Sequence, residues 1–471
     1  MLKLIEIADA ASRSWDMIIV GSSFACMFFL RALPSNFRVL IVEKGPWASH
    51  ADTLDVRSHA NALETIAMDN LSAHKKLWVA HSKFGGNSNC WWAQTPRFLP
   101  DDFMLWSKFG IGRDWPITYD TLEPYYSEAE AIMEVAGDGR DFLHPMSRPY
   151  PYPSHSPTRH EFRLRADSYW VPNATARSNG GRRAICCGNN VCGLCPIDAK
   201  FAILNGLELF NRDNTFLLLD SEVTRVLDLA RTSVSGVEIR QRTNGYKVKA
   251  DRVALAANAF FNASILLRSG DENPSTGRYI HEQASKNISL TAPGPGYYGG
   301  TSITGHNYKF YKDADRGARA AVLIENFNIP AIQLVPGAVT NTMNIKLIAE
   351  DIPQARNQVV LDDQGVPKVI WYGHHDYAYS GIDYAAANLS EIFPWPVSVV
   401  NASPVNVTEA HIQGTCRMGH SGDESVVDAD LRKHGNDNLW VLGASAFPSS
   451  SPANPTLTLS ALSLRAGSKV T

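Results

Sequence analysis

At 471 residues the chain is too long for one ordinary core, so two or three domains, or one large fold with insertions, are expected. Hydrophobic residues at 44% and charged residues at 19% exclude a disordered chain. Lysine plus arginine numbers 44 against 47 acids, a net charge of −3 with no long block of one sign, which excludes the clustered positive surface of a nucleic-acid binder and favours a small-molecule partner.

In chain order, the first fourteen residues (MLKLIEIADAASRS) lack both a long apolar core and a twin-arginine pair, so they do not read as a secretory signal. No run of eighteen apolar residues exists, and no transmembrane helix is expected. The chain therefore reads as cytoplasmic, or as exported or membrane-associated only through a partner subunit. From Trp15 to Val42 the pattern is strand, tight turn, helix, strand. An apolar run (16–20) meets Gly21, Ser22 and Ser23, a helix is predicted over 24–33, and a second apolar run (38–42) ends at Glu43. This is the order of a mononucleotide-binding βαβ unit.

Residues 101–181 are rich in proline, tyrosine and tryptophan and predict an inserted, loop-rich region with one helix. Alternating patterns over 222–256 predict a β-meander feeding a strand and then a helix over 260–267. The stretch from about 275 to 404 holds many strand-like runs and predicts a second sheet. The last sixty residues are dense in glycine, serine and small turns. No internal repeat or low-complexity segment is present.

A phosphate on a helix N-terminus needs a tight turn and close backbone approach, hence the glycines of GxGxxG. Only Gly21 of that pattern survives; Ser23 and Cys26 hold the other places. Glu43 stands where an acid accepts hydrogen bonds from an adenosine ribose. The C-terminal segment is more specific: HIQGTCRMG (411–419), VVDADLRKHG (426–435), NLWVLGASAFP (438–448) and ANPTLT (453–458). With GGNSNCWW (85–92), FLPDDF (98–103), DWPITYDTLEPYY (114–126) and LAANA (255–259), it resembles the glucose–methanol–choline (GMC) flavoprotein oxidoreductases. Within that family it looks most like pyranose oxidase and the flavoprotein subunits of bacterial sugar and polyol dehydrogenases.

The resemblance runs from residue 16 to 465. It implies an α/β fold: a Rossmann-like FAD-binding domain (14–100, 182–270 and 405–471) with a discontinuous α+β substrate-binding domain (101–181 and 271–404). FAD would be lined by Gly21, Ser22, Ser23, Glu43, Gly85, Gly86, Asn87, Val223, Ala257, Gly443, Ala444 and Thr456. Asn258 departs from the family's usual glycine. His411 and Asn454 stand at the family's catalytic pair, which makes His411 the base and Asn454 the partner of the substrate oxygen. An imidazole suits that role because its ordinary pKa of about 6.5 leaves it largely neutral at physiological pH. His281, His306, His374 and His375 have no such context and are expected to be structural. Trp91, Trp92 and Trp371 could stack on a sugar ring, though most tryptophans are expected to be packing residues.

Four of the seven cysteines fall within CCGNNVCGLCP (186–196). Thiolates this close in a loop suit an iron–sulfur cluster or zinc, and adjacent cysteines are hard to bridge to each other. The spacing resembles the [3Fe-4S] ligands of sugar dehydrogenases in the family, with Cys186, Cys187 and Cys192 as ligands and Cys195 one residue from a usual fourth cysteine. Disulfides and buried thiols are the alternatives. A cluster would pass electrons singly to a cytochrome or small accessory subunit and would favour a dehydrogenase over an oxidase. Cys90 stands where pyranose oxidase joins FAD covalently, but a dissociable FAD is favoured. The expected activity is FAD-dependent oxidation of a sugar, polyol or glycoside hydroxyl. The alternatives are an oxygen-using enzyme without metal and a flavoprotein that binds a partner without catalysis.

Overall fold

The computed structural model describes residues 2–55, 63–138, 143–164, 169–210, 212–293, 301–327 and 341–471. Met17–Val20 and Val39–Val42 are unbroken apolar runs, the composition of strands covered on both faces, and they pair in parallel. Around them the chain assembles a six-stranded parallel sheet, in the order Lys3–Leu4, Thr215–Leu218, Val39–Val42, Met17–Val20, Val253–Leu255 and Leu439–Val441. Its first strand lies upstream of residue 14, where the cofactor domain was expected to begin. The Phe24–Ala32 helix buries Phe24 through Leu30 and packs against the Thr456–Ser468 helix.

The predicted meander forms as Glu222–Leu227, Gly236–Gln241 and Asn244–Ala250, joined at its edge by Ser14–Trp15. The helix expected over 260–267 begins earlier, spanning Asn258–Arg268. The loop-rich insertion carries one long helix, Tyr119–Met133, but also the short helices Leu105–Phe109 and Arg159–Leu164.

The second sheet is antiparallel throughout, in the order Trp170–Pro172, Ile303–Asn307, Val322–Phe327, Thr342–Ala349, Ala284–Thr291 and Val399–Val405. Alternation decides its two faces. Ile288, Leu290, Val322, Ile324, Ile345 and Leu347 pack with the Asp376–Ala387 helix in a core of their own. The intervening residues, Asn287, Glu325 and Lys346 among them, turn to the opposite face.

A buried charge network ties this sheet to the C-terminal segment. The Arg316 guanidinium grips Glu350 at 3.0 and 2.6 Å and also bonds Asp102. Asp102 in turn accepts from the Leu99 N–H at 2.8 Å, the Tyr311 hydroxyl and the Ser451 hydroxyl at 3.0 Å. Among the described residues no helix is long and apolar enough to cross a membrane.

Candidate active site

The strand Met17–Val20 ends in a turn that must bring its backbone against Ala256. Gly21 adopts φ +94°, and a Cβ there would lie 2.7 Å from the Ala256 carbonyl oxygen. Asn258 holds the left-handed region at φ +74°, and its Oδ1 accepts from the Phe260 and Phe261 N–H groups. Asparagine tolerates that region better than other non-glycine residues, which accounts for its presence where glycine is usual.

One cavity of about 490 Å³ opens at this turn. It is lined both by Gly21, Ser22, Ser23 and Glu43 and by His411 and Asn454. Gly86, Asn87, Val223, Ala257, Gly443, Ala444 and Thr456 line it as well, so the expected cofactor set converges on one space. Gly85 is the exception. It sits behind the wall, where its N–H donates to Ser22 Oγ at 2.9 Å and so fixes the turn rather than facing the cavity.

Ser22 Oγ donates to Glu43 Oε2 at 2.5 Å, and the Gly45 N–H donates to Oε1 at 3.1 Å. Burial pushes the Glu43 carboxyl up to about 7 against the pull of those bonds. A buried acid at the end of the second strand fits the ribose of a dinucleotide. Pro455 and Thr456 place the N-terminus of the Thr456–Ser468 helix, with its positive dipole end, on the same wall.

At the reacting end, His411 Nδ1 donates to Gln283 Oε1 at 3.0 Å. The Gln283 amide cannot turn round, because its Nε2 donates to the Ser451 and Ala453 carbonyls at 2.8 and 3.0 Å. Gln283 therefore fixes the tautomer and leaves His411 Nε2 with the free lone pair a base needs. Burial lowers the His411 pKa below its ordinary value, although Glu409, Glu282 and Glu325 pull the other way. Asn454 is buried, and among the described residues its Oδ1 has no hydrogen-bond partner. A buried amide oxygen left bare in a cavity wall fits a ligand that donates to it.

Sequence reasoning missed Gln283, His81, Glu325, Lys346 and Glu409. His81 lines the cavity, and burial together with Lys83 and Lys200 holds it down to about 4. For Glu325 and Lys346 a signal existed: each is a charge inside an apolar strand run, VLIENF and MNIKLIA. Gln283 offered none.

The cysteine loop does not form the expected ligand set. All seven cysteines are free thiols, which removes the disulfide alternative. Among the described residues no three His, Cys, Asp or Glu side chains are placed to hold a metal ion. The three thiols differ in exposure, with Cys187 exposed, Cys186 half-buried and Cys192 buried, and Cys186 feels the charges of both others. Cys192 Sγ instead accepts from Arg177 Nη1 at 2.8 Å and from the Ser302 N–H at 3.3 Å. This arrangement does not support the expected [3Fe-4S] set or zinc, and no electron path is routed through it. Cys90 does line the cavity, with its thiol pushed up by burial and so kept protonated.

Of the other histidines, three bond within the scaffold. His281 Nδ1 bonds the Tyr279 carbonyl, His374 Nδ1 pairs with Asp351 at 2.8 Å, and His375 caps the Asp376–Ala387 helix. Trp371 packs edge-on against Trp78 in the core, whereas Trp91 and Trp92 line the cavity.

Residues 353–463 match the family model of the GMC oxidoreductases. The chain is 27% identical to the fructose dehydrogenase large subunit of Gluconobacter japonicus, an alignment covering 97% of this chain and 98% of that one. It is also 27% identical to the 6'''-hydroxyparomomycin C oxidase of Streptomyces lividus, over 97% and 91% of the two chains. Pyridoxine 4-oxidase from Mesorbium loti superposes with a TM-score of 0.65 at 19% identity, over 96% of this chain and 98% of that one. A formate oxidase of Aspergillus oryzae, described for its FAD modification, superposes with a TM-score of 0.66 at 14% identity, over 97% and 98%. The two superpositions bear on the fold alone.

Proposed function

We propose that the chain, which carries the GMC oxidoreductase family match over residues 353–463, is a member of that family that oxidises a hydroxyl of a sugar, polyol or glycoside to the carbonyl, using FAD held in the cavity. The observation that carries this is a single space shared by the Gly21 turn and the His411–Asn454 pair. FAD supplies the hydride acceptor when bound. Glu43 is placed for its ribose, and the backbone of the Gly21–Ser23 turn for its phosphates. His411 Nε2 takes the proton of the reacting hydroxyl, and the Asn454 amide holds the oxygen that the proton leaves. A non-catalytic binding role leaves no use for a tautomer fixed by Gln283.

The segments 14–100, 182–270 and 405–471 supply the cofactor side. The segments 101–181 and 271–404 supply most of the substrate side, through Ile303, Glu325 and Lys346. The electron acceptor is placed outside the chain, a reading supported by a relative described as a large subunit.

The test is anaerobic bleaching of the flavin-loaded protein by a panel of sugars and polyols. Asn454→Ala is expected to slow that bleaching about 10²- to 10³-fold while flavin content stays the same, the cost of one lost partner to a charge developing in a dry site. Equal rates in the variant and the parent would make Asn454 a packing residue. The acid limb of the rate profile reports His411 directly. Protonation removes the base, and burial holds its pKa down, so kcat/KM is expected to fall with decreasing pH only below the ordinary imidazole value of about 6.5. A limb centred at or above that value removes His411 as the base.

A further inference from the structure

Glu325 is 1% exposed, yet its Oε1 has no hydrogen-bond partner among the described residues. Its ion-pair neighbour His306 Nε2 stands 3.6 Å away, too far for a hydrogen bond, and is itself buried without one among the described residues. A buried carboxylate oxygen that forms no hydrogen bond costs free energy, so its retention in a cavity wall points to a ligand that completes it.

The strand register places that carboxylate in a row. His306 lies opposite Glu325, Glu325 opposite Lys346, and Lys346 opposite Asn287, on the sheet face turned away from the second core. Lys346 is paired with Glu409 at 2.9 Å rather than with Glu325. Glu409 is saturated: besides Lys346 it accepts from Ser285 and from Asn406 at 3.0 Å. An ammonium has three donors, so Lys346 keeps some in reserve.

Glu325, Lys346, Trp92 and Gln94 all line the cavity that holds His411. The Trp92 ring stacks on Phe327 with centroids 5.5 Å apart, and Lys346 Nζ sits 4.8 Å from the Phe327 ring. The result is a flat aromatic wall beside an acceptor and a donor on neighbouring strands.

We infer that Glu325 and Lys346 form a subsite for two neighbouring hydroxyls of a neutral sugar or polyol, gripping the substrate beside the carbon that is oxidised. This rests on the alcohol-oxidation reading above. The carboxylate accepts from one hydroxyl, the ammonium donates to the other, and Trp92 covers the apolar C–H face of the ring. Glu325, Glu409 and Lys346 together carry one net negative charge, which disfavours phosphorylated sugars and sugar acids. A simple monoalcohol leaves Glu325 Oε1 bare, and unpaired buried polar groups discriminate strongly against such analogues.

The test compares kcat/KM for anaerobic bleaching of the flavin-loaded protein by D-glucose, D-fructose and D-sorbitol with that by cyclohexanol. D-Glucosamine is included as a cationic control. The parent is expected to prefer its best polyol over cyclohexanol by at least 100-fold. Glu325→Leu is expected to lower that ratio 10- to 100-fold, mainly through the KM of the polyol. If Glu325→Leu fails to load flavin, Glu325→Gln, which keeps the shape, is read instead against a threefold fall.

An unchanged ratio in a loaded variant overturns the subsite while alcohol oxidation stands. A fall confined to D-glucosamine also overturns it, assigning Glu325 to an ammonium group. A parent that no polyol and no monoalcohol reduces overturns the alcohol-oxidation reading, and the subsite with it.

Discussion

His411→Ala is expected to yield a folded, flavin-loaded protein whose anaerobic reduction by substrate is slowed about 10²- to 10⁴-fold, the usual cost of removing a general base. The effect should be large because neither Glu409 nor His81 is free to replace the imidazole. Glu409 is saturated by Lys346, Ser285 and Asn406, and His81 lies among the cations Lys83 and Lys200. Folding should survive, since the imidazole is half-buried at the cavity wall and its one side-chain partner, Gln283, keeps both amide donations to the backbone. Stopped-flow bleaching reads the rate and absorbance the flavin content. A loaded variant within threefold of the parent would remove His411 from the chemistry.

Arg316→Ala is expected to cost about 3–5 kcal/mol of stability, because it strands Asp102 and Glu350 as buried carboxylates. Both acids are about 1% exposed or less, and burial already pushes the Asp102 carboxyl up although Arg316 pulls it down. Chemical denaturation measures the loss. The triple change Arg316→Met, Asp102→Asn, Glu350→Gln should recover part of it, since no charge is then left unpaired. A single-variant loss under about 1 kcal/mol would mean that water reaches the network. The damage should also reach the active site, through Asp102 to Ser451 and from Ser451 to Gln283 and His411.

The parts legible in the sequence are those written locally. The strand–turn–helix–strand unit around Gly21 is encoded within thirty residues, and its apolar runs admit one reading. The His411 and Asn454 segments were legible through their motifs. Glu325 and Lys346 showed only as charges inside apolar strand runs, and their meeting with His411 depends on the register of antiparallel strands far apart in the chain, while Gln283 gave no signal. Gly85 was placed one layer too far forward: its motif marks the turn, whereas Ser22 faces the cavity. The cysteine loop shows the opposite failure. Its spacing suits a ligand set, but Arg177 and the Ser302 N–H engage Cys192 while Cys187 points to solvent.

The interleaving of the parallel sheet sets the order in which a ribosome can complete the molecule. Met17–Val20 and Val39–Val42 emerge early, but their neighbour Val253–Leu255 follows some two hundred residues later, and Leu439–Val441 later still. The helix that covers Phe24–Ala32 is Thr456–Ser468. Phe24 and Phe28 also wait for Phe201 and Phe210, and Phe29 for Trp440, so the nascent nucleotide unit carries uncovered phenylalanines through much of its synthesis, a state that invites chaperone capture. His411, Gly443, Asn454 and Thr456 all follow residue 400. The cofactor's chamber is thus closed by residues translated long after the Gly21 turn, so that FAD binds in full only once they are in place and then stabilises the fold by mass action.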